Sequence, residues 1–395
     1  MRVLYILHTT QMHGATISFI NSIKGLIKKG IKPVIVIPSN SNDCLLQKHL
    51  NNTNIVYYKS PIIQSTIDVH QYNKFSFFNK LRFLVFLYRR KRLSFKELDR
   101  IVRKEKPDII HTNVGTIHEG FWVAKKNHIP HIFHIREYQD KDFNWRIIPS
   151  KRFFCWILKH SYVITITDAL GKHFKFEEYS KRRTVYNGIY EKEKTALMIP
   201  KESYFLCASR ISKEKGLCDV VRAFSLFHQT CPNYSLVIAG KGSPQYIEEL
   251  MGIAKEGKCE ESIIFPGHLD NPFEYMKNAK ALIVGSYNEG FGRMTAEAAF
   301  AGCLVIGRNS GGTKEILEKT GGYSFIDNDG IVKAMKDIEL LSDEEYLEKA
   351  KHAQKVAQHL YSTEQNINAI FSFYLDIMKN PQFNRFLSFK NRHLA

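Results

Sequence analysis

The stretch Ala281-Leu282-Ile283-Val284-Gly285-Ser286-Tyr287-Asn288-Glu289-Gly290-Phe291-Gly292-Arg293-Met294-Thr295-Ala296-Glu297 decides how this chain is read. Its four opening aliphatic residues show no polar alternation, the mark of a strand buried on both faces. The turn-rich loop that follows carries Gly290 and Gly292, which let a backbone come close to a ligand. A helix opening near Met294-Thr295 presents unpaired amides suited to a phosphate. Glu289 and Glu297 flank that position. Neither suits phosphate, but each carboxylate is a bidentate acceptor for sugar or ribose hydroxyls. An ordinary glycine turn with two solvated glutamates is the plainer alternative.

The same rhythm extends in both directions. Downstream, Leu304-Val305-Ile306 reads as a strand ending in Ser310-Gly311-Gly312-Thr313, which opens a helix carrying Glu315. Upstream, Ser209-Arg210-Ile211-Ser212-Lys213-Glu214-Lys215-Gly216 follows a buried strand at 204–208. Arg210 and Lys215 are two cations at a strand's C-terminal edge, where they can neutralise a diphosphate. Gly240-Lys241-Gly242 follows a strand at 235–239, and Gly267-His268-Leu269 follows one at 262–265. Buried strands also recur in the first half, at 3–7, 33–37, 54–58, 108–111, 131–135 and 162–166, with a helix at 16–29. The polar run 191–201, with Pro200, reads as a linker. From Ser342 the chain reads as helical to about residue 379, with a break near Tyr361-Ser362. Two doubly wound α/β domains follow, with ligands at the C-terminal strand edges.

Composition agrees with two cores. The chain has 395 residues, 44% hydrophobic and 12% aromatic, which excludes a disordered or fibrous protein. Seven scattered cysteines, an odd number with no CxxC pair, read as buried residues of a reducing compartment. Only five apolar residues, 3–7, precede a polar turn, so no signal peptide is expected. No run approaches the about 18 apolar residues of a membrane span. The net charge of 57 − 39 = +18 asks for a polyanionic partner. Half of it lies in 74–106, where twelve basic and three acidic residues give +9 among bulky aromatics. Such a segment suits an anionic membrane surface; the alternative is a packed helix with a solvated basic end. No nucleic-acid-binding module accompanies it, so no nucleic-acid partner is expected.

Glu289-x7-Glu297 around Glu289-Gly290-Phe291-Gly292 resembles the signature of the family-four, group 1 retaining glycosyltransferases. The resemblance runs over roughly 1–380 and is strongest at 204–317. It implies the GT-B fold: two Rossmann-like domains facing a cleft, here 1–195 for the acceptor and 196–362 for a nucleotide-sugar donor. A final helical segment, 363–395, would return to the first domain. The family's roles fall on Glu297 for the ribose, Glu289 for the donor sugar, and Arg210 with Lys215 for the diphosphate. Gly290, Phe291 and Gly292 would approach the sugar, and Met294 and Thr295 the phosphates. Gly240, Gly242, His268 and Leu269 would border the nucleotide. The family's active-site histidine matches His134 in His131-Ile132-Phe133-His134-Ile135-Arg136-Glu137. With Glu289 it forms the expected catalytic pair.

Gly14 matches the second glycine of the family's first loop, and His13 stands where the first would be. Ser209 stands where the family commonly has a glycine before the arginine, and Gly285 and Leu304 are further departures, both at scaffold positions. The resemblance implies no cofactor beyond the nucleotide-sugar substrate and no metal; Asp140-Lys141-Asp142 has DxD spacing but lies in a polar loop. The expected protein is a metal-independent retaining enzyme at the inner face of the cell membrane. Its acceptor would be a glycan or lipid-linked glycan in bacterial surface polysaccharide synthesis. A sugar-nucleotide epimerase of the same fold and a non-catalytic membrane-bound binding protein are the alternatives.

Overall fold

Alternation along one strand shows how the first sheet is made. In Arg2–Ile6, Val3 and Tyr5 point into one apolar layer and Leu4 and Ile6 into the other. Both layers are helix-covered, as a parallel sheet requires. The computed structural model describes residues 1–11, 14–39, 45–51, 53, 55–176 and 179–379. The readings made at His13, Cys44, Asn54 and 380–395 therefore lie outside the described residues.

By its internal contacts the chain forms two units, Met1–Gly188 with the chain from Asn366, and Ile189–Gln365. In the first, the sheet order is Val56–Ser60, Lys32–Pro38, Arg2–Ile6, Ile109–Thr112, His131–Ile135, Tyr162–Thr165, Arg182–Thr184, all neighbours parallel. In the second it is Ile263–Gly267, Ser235–Ala239, Glu202–Ala208, Ala279–Val284, Leu304–Arg308, Tyr323–Phe325, again parallel. The three-residue strands at 66–68 and 145–147 pair antiparallel as a separate ribbon. They are too short for periodicity to reveal, as are the edge strands at 182–184 and 323–325.

The polar run expected to be a linker is part of the second unit. The Ala196 amide donates to Phe300 O at 3.2 Å, and the Thr363 amide to Tyr190 O at 2.8 Å. The division expected at 195/196 thus falls at 188/189. The helix Asp343–Leu360 starts where read, because Ser342 and Glu345 cap each other reciprocally. A second helix, Thr363–Lys379, follows, and the division between units falls inside it, at 365/366 rather than at 362/363. From Asn366 it packs in the first unit: Ile367 rests where a side chain on Gly25 would otherwise be, and Ile370, Phe373 and Ile377 join the layer of Val3 and Tyr5.

The basic segment becomes one helix, Phe77–Glu105, of 29 residues. Its two halves differ. Leu98, Ile101 and Val102 pack under the sheet with Leu4 and Ile6, and Asp99 takes up Lys126 at 2.8 Å and Arg103 at 3.0 Å. The first half is largely exposed, with Phe77, Phe78, Leu81, Val85, Phe86 and Tyr88 open to solvent, while Leu87 and Phe83 pack with Ile67 and Ile148. The packed-helix reading of 74–106 thus holds for the second half, and the first half is left exposed. Among the described residues, no helix is long and apolar enough to cross a membrane.

Tyr374, on the last helix, is fully buried, and its hydroxyl lies 2.6 Å from His111 Nδ1 and 3.1 Å from the Tyr5 hydroxyl. Replacing it with phenylalanine leaves a buried imidazole nitrogen without its partner. Tyr374→Phe is expected to lower unfolding free energy by about 1–3 kcal/mol, as read by urea denaturation.

Candidate functional site

In the second unit the site assembles at the C-terminal ends of three neighbouring strands, 202–208, 279–284 and 304–308. The loop after Val284 turns at Gly292, whose φ of +88° is a left-handed conformation that favours glycine. The helix Arg293–Phe300 begins immediately after it, at Arg293 rather than at Met294. Gly312 fixes the loop's height. Its amide donates to Glu289 O at 2.8 Å, and its missing side chain leaves the space that Phe291 O occupies. Phe291 is buried, with its ring edge-on to Tyr361 at 5.8 Å.

Charges pair across these strand ends. Lys215 Nζ donates to Glu289 Oε1 at 2.7 Å, which joins the two loops singled out in the sequence. Arg210 takes a different partner, Glu214 at 3.1 Å, and its side chain is 63% exposed. Arg210 and Lys215 thus do not act on one carboxylate; Arg210 remains available at the surface. One helical turn before Glu297, Arg293 donates through Nε to Glu297 Oε1 at 2.6 Å. Burial raises the Glu297 carboxyl above its ordinary range, against the lowering pull of Arg293, Lys194 and Tyr190. Lys194 itself sits over the Tyr190 ring at 3.9 Å. Arg293, Tyr190 and Lys194 were not singled out by sequence reasoning. The four-residue spacing of Arg293 and Glu297 was a usable signal, whereas nothing in 190–194 pointed to Glu297.

The helix start carries polar groups that the protein does not satisfy. Thr295 and Thr313 are buried, and among the described residues their hydroxyls have no hydrogen-bond partner. Thr313 Oγ1 lies beside Gly292, 3.1 Å from where a Cβ would stand. With the first-turn amides of 293–295 they make a neutral, donor-rich pocket edge of the kind that receives an anion. Met294 is half-buried on the same turn, and Gly290 stands in the loop before it. The loops expected to border a nucleotide also meet: the Gly240 amide donates to Gly267 O at 2.8 Å, and Ile211 pairs with Gly242 in a β-bridge. His268 beyond them is exposed and Leu269 half-buried.

In the first unit, His134 ends its strand fully buried. His111 Nε2 lies 3.2 Å and Arg136 Nη2 3.4 Å from His134 Nδ1. A guanidinium only donates, so Nδ1 accepts and the ring proton sits on Nε2. Among the described residues His134 Nε2 has no hydrogen-bond partner, so the ring holds out one N–H donor. Burial, then the Arg136 charge, keeps this imidazole neutral, its pKa pushed well below the ordinary value. His111 is held down to about 3 for the same reasons. Arg136 is anchored by Asn113 at 3.1 Å and Asn187 at 2.7 Å. Gly14 opens the helix Gly14–Lys28 with open space where a Cβ would be. The DxD spacing is used internally: Asp140 pairs with Lys151 and His173, both at 2.9 Å, and Asp142 accepts the Tyr138 amide. Among the described residues no cluster of three or more metal-ligating side chains occurs.

Residues 190–359 match the family model of the glycosyl transferases, group 1. A glycogen synthase of Mycobacterium tuberculosis is 30% identical over 138 residues, 34% of this chain and 33% of that protein. The chain thus spans about a third of the length of the first curated relatives it matches. An alpha-monoglucosyldiacylglycerol synthase of Acholeplasma laidlawii is 24% identical over 334 residues, 73% of this chain and 81% of that protein. Among solved structures, Alr3699/HepE of Anabaena, crystallised with UDP, superposes with a TM-score of 0.75 at 15% identity. It covers 95% of this chain and 100% of its own. The fold is GT-B.

Glu137, beside Arg136, accepts the Gly115 amide at 3.1 Å, and burial raises its carboxyl to about 8. A raised acid holds its proton in the folded state after the unfolded chain has lost it. Stability from this group is therefore present below pH 4.5 and is lost as pH rises toward 8. Glu137→Gln is expected to flatten the fall in urea-unfolding free energy between pH 5 and pH 8, by up to about 1.4 kcal/mol per pH unit.

Proposed function

We propose, since residues 190–359 match the family model of the glycosyl transferases of group 1, that this chain moves a sugar from a nucleotide-sugar donor to an acceptor hydroxyl with retention of anomeric configuration. The observation that carries the reading is the Lys215–Glu289 pair at 2.7 Å beside the Gly292 helix start. It sets a cation for the diphosphate next to a carboxylate for sugar hydroxyls. Arg210 and Lys215 neutralise the leaving diphosphate, assisted by the amides of the first helical turn and the hydroxyls of Thr295 and Thr313. Glu297 accepts the ribose hydroxyls once Arg293 swings aside. Glu289 orients the donor sugar, and in the first unit His134 keeps an Nε2 proton to donate to a sugar hydroxyl. The loops at Gly240, Gly242, His268 and Leu269 border the base.

The acceptor hydroxyl attacks the sugar carbon from the face that the diphosphate leaves. The carbon–phosphate oxygen bond breaks, the new glycosidic bond forms, and the acceptor proton passes to the departing phosphate oxygen. No metal is needed where two side-chain cations and helix amides carry the diphosphate charge. The acceptor is a lipid-linked glycan in this reading. Two observations support it: the exposed apolar and basic half of Phe77–Glu105, and the similarity to the alpha-monoglucosyldiacylglycerol synthase of Acholeplasma laidlawii. Phe77, Phe78, Phe86 and Tyr88 would enter the interface of an anionic membrane, with Arg82, Arg89 and Arg92 on its headgroups. In this reading the chain works at the inner, cytoplasmic face of the cell membrane.

Donor hydrolysis screened across UDP-, GDP- and ADP-sugars is expected to single out one donor. Glu297→Ala is expected to weaken its binding at least about tenfold by calorimetry; unchanged binding would refute the site. Vesicles containing phosphatidylserine are expected to float the chain at low salt, and Phe77→Ser with Phe78→Ser to abolish flotation. A wild-type chain left at the bottom of the gradient rejects the membrane reading.

A further inference from the structure

We infer that Arg308 is a positioning residue: it clamps the two loops that carry Lys215 and Glu289 and so sets how the chain grips a diphosphate. The proposal rests on the donor reading above. Arg308 is the last residue of the strand Leu304–Arg308, and its side chain is only 14% exposed. Its guanidinium bonds three separate segments. Nη2 donates to Asp219 Oδ2 at 2.6 Å, Nε to Gly285 O at 2.9 Å, and Nη1 to Ile326 O at 3.4 Å. Its plane also lies over the Tyr287 ring at 4.5 Å and the Phe325 ring at 5.0 Å.

Tyr287 is held in turn at three points. Its amide donates to Glu214 O at 3.1 Å, its hydroxyl to Asp219 Oδ2 at 3.2 Å, and its carbonyl accepts Ser310 Oγ at 2.8 Å. Glu214 immediately precedes Lys215, and Tyr287 stands two residues before Glu289. The clamp therefore fixes both backbones from which the Lys215–Glu289 pair is built. Gly216 completes it. A Cβ there would lie 3.3 Å from Arg308 Nη2 and would collide with Gly285 O.

A lysine ammonium is a point charge on a flexible stem, so its placement depends on the backbone beneath it. Only arginine supplies donors in a planar fork to two directions at once while stacking on a ring. Arg308 touches neither Lys215 nor Glu289 in the interactions described, which makes it positioning rather than catalytic. The effect of losing it must appear on the diphosphate and spare the rest of the nucleotide.

Calorimetry on the full chain tests this with UDP, GDP and ADP, the tightest being compared with its own monophosphate. Arg308→Gln is expected to weaken the diphosphate about tenfold and leave the monophosphate within about twofold. Asp219→Asn breaks the clamp from its other side and is expected to shift the same ratio in the same direction; it carries the test if Arg308→Gln does not fold. An unchanged ratio in both variants overturns the clamp. Equal losses for both nucleotides overturn it as well, since they mark a merely structural role. A loss in Arg308→Gln with none in Asp219→Asn overturns it in favour of direct contact between Arg308 and phosphate. A wild-type chain that binds diphosphate and monophosphate equally refutes the donor reading itself.

Discussion

Strand ends in the second unit meet where side chains would not fit. Phe291 O fills the space beside Gly312, and Gly285 O fills the space beside Gly216. The Lys215–Glu289 pair depends on these two backbone approaches. They set the Glu289 loop against the Lys215 loop on one side and against the helix that begins at Gly311 on the other. An added methyl at either position would push apart the segments that carry the charges. The glycines are therefore a spacing constraint, and the ion pairs are built on that spacing.

The two units handle charge in opposite ways. In the second, cations and carboxylates pair directly: Lys215 with Glu289, both partly exposed, and Arg293 with the buried Glu297. In the first, burial strips charge from the histidines. His111, His118, His131 and His134 all have pKa values pushed below the ordinary value, with desolvation as the leading cause in each. The buried Arg136 charge is tolerated because Asn113 and Asn187 satisfy it. A neutral His134 with its proton on Nε2 is a fixed hydrogen-bond donor across the physiological range, not a proton carrier.

Much of this was legible in the residues. The aliphatic runs located the longer strands, the helical pattern from Ser342 located a helix start, and Glu289-x7-Glu297 located the loop with which Lys215 pairs. What was missed has a common cause. Arg136, Tyr374 and Arg308 matter through contacts with residues far along the chain, and no local pattern encodes those contacts. The three-residue strands escaped because periodicity needs more residues than they have.

The sequence by itself determined which segments become buried strands, which become amphipathic helices, and where glycine permits close approach. Those properties follow from each residue's own volume, polarity and backbone freedom within a few neighbours. Only the tertiary structure decided that Lys215 faces Glu289 while Arg210 faces Glu214, and that the helix Phe77–Glu105 buries one half and exposes the other. It also decided that Tyr374 completes a histidine network 240 and more residues earlier in the chain. Charge pairing and burial depend on distance in space, and that distance is set by the stacking of parallel strands from separate parts of the chain.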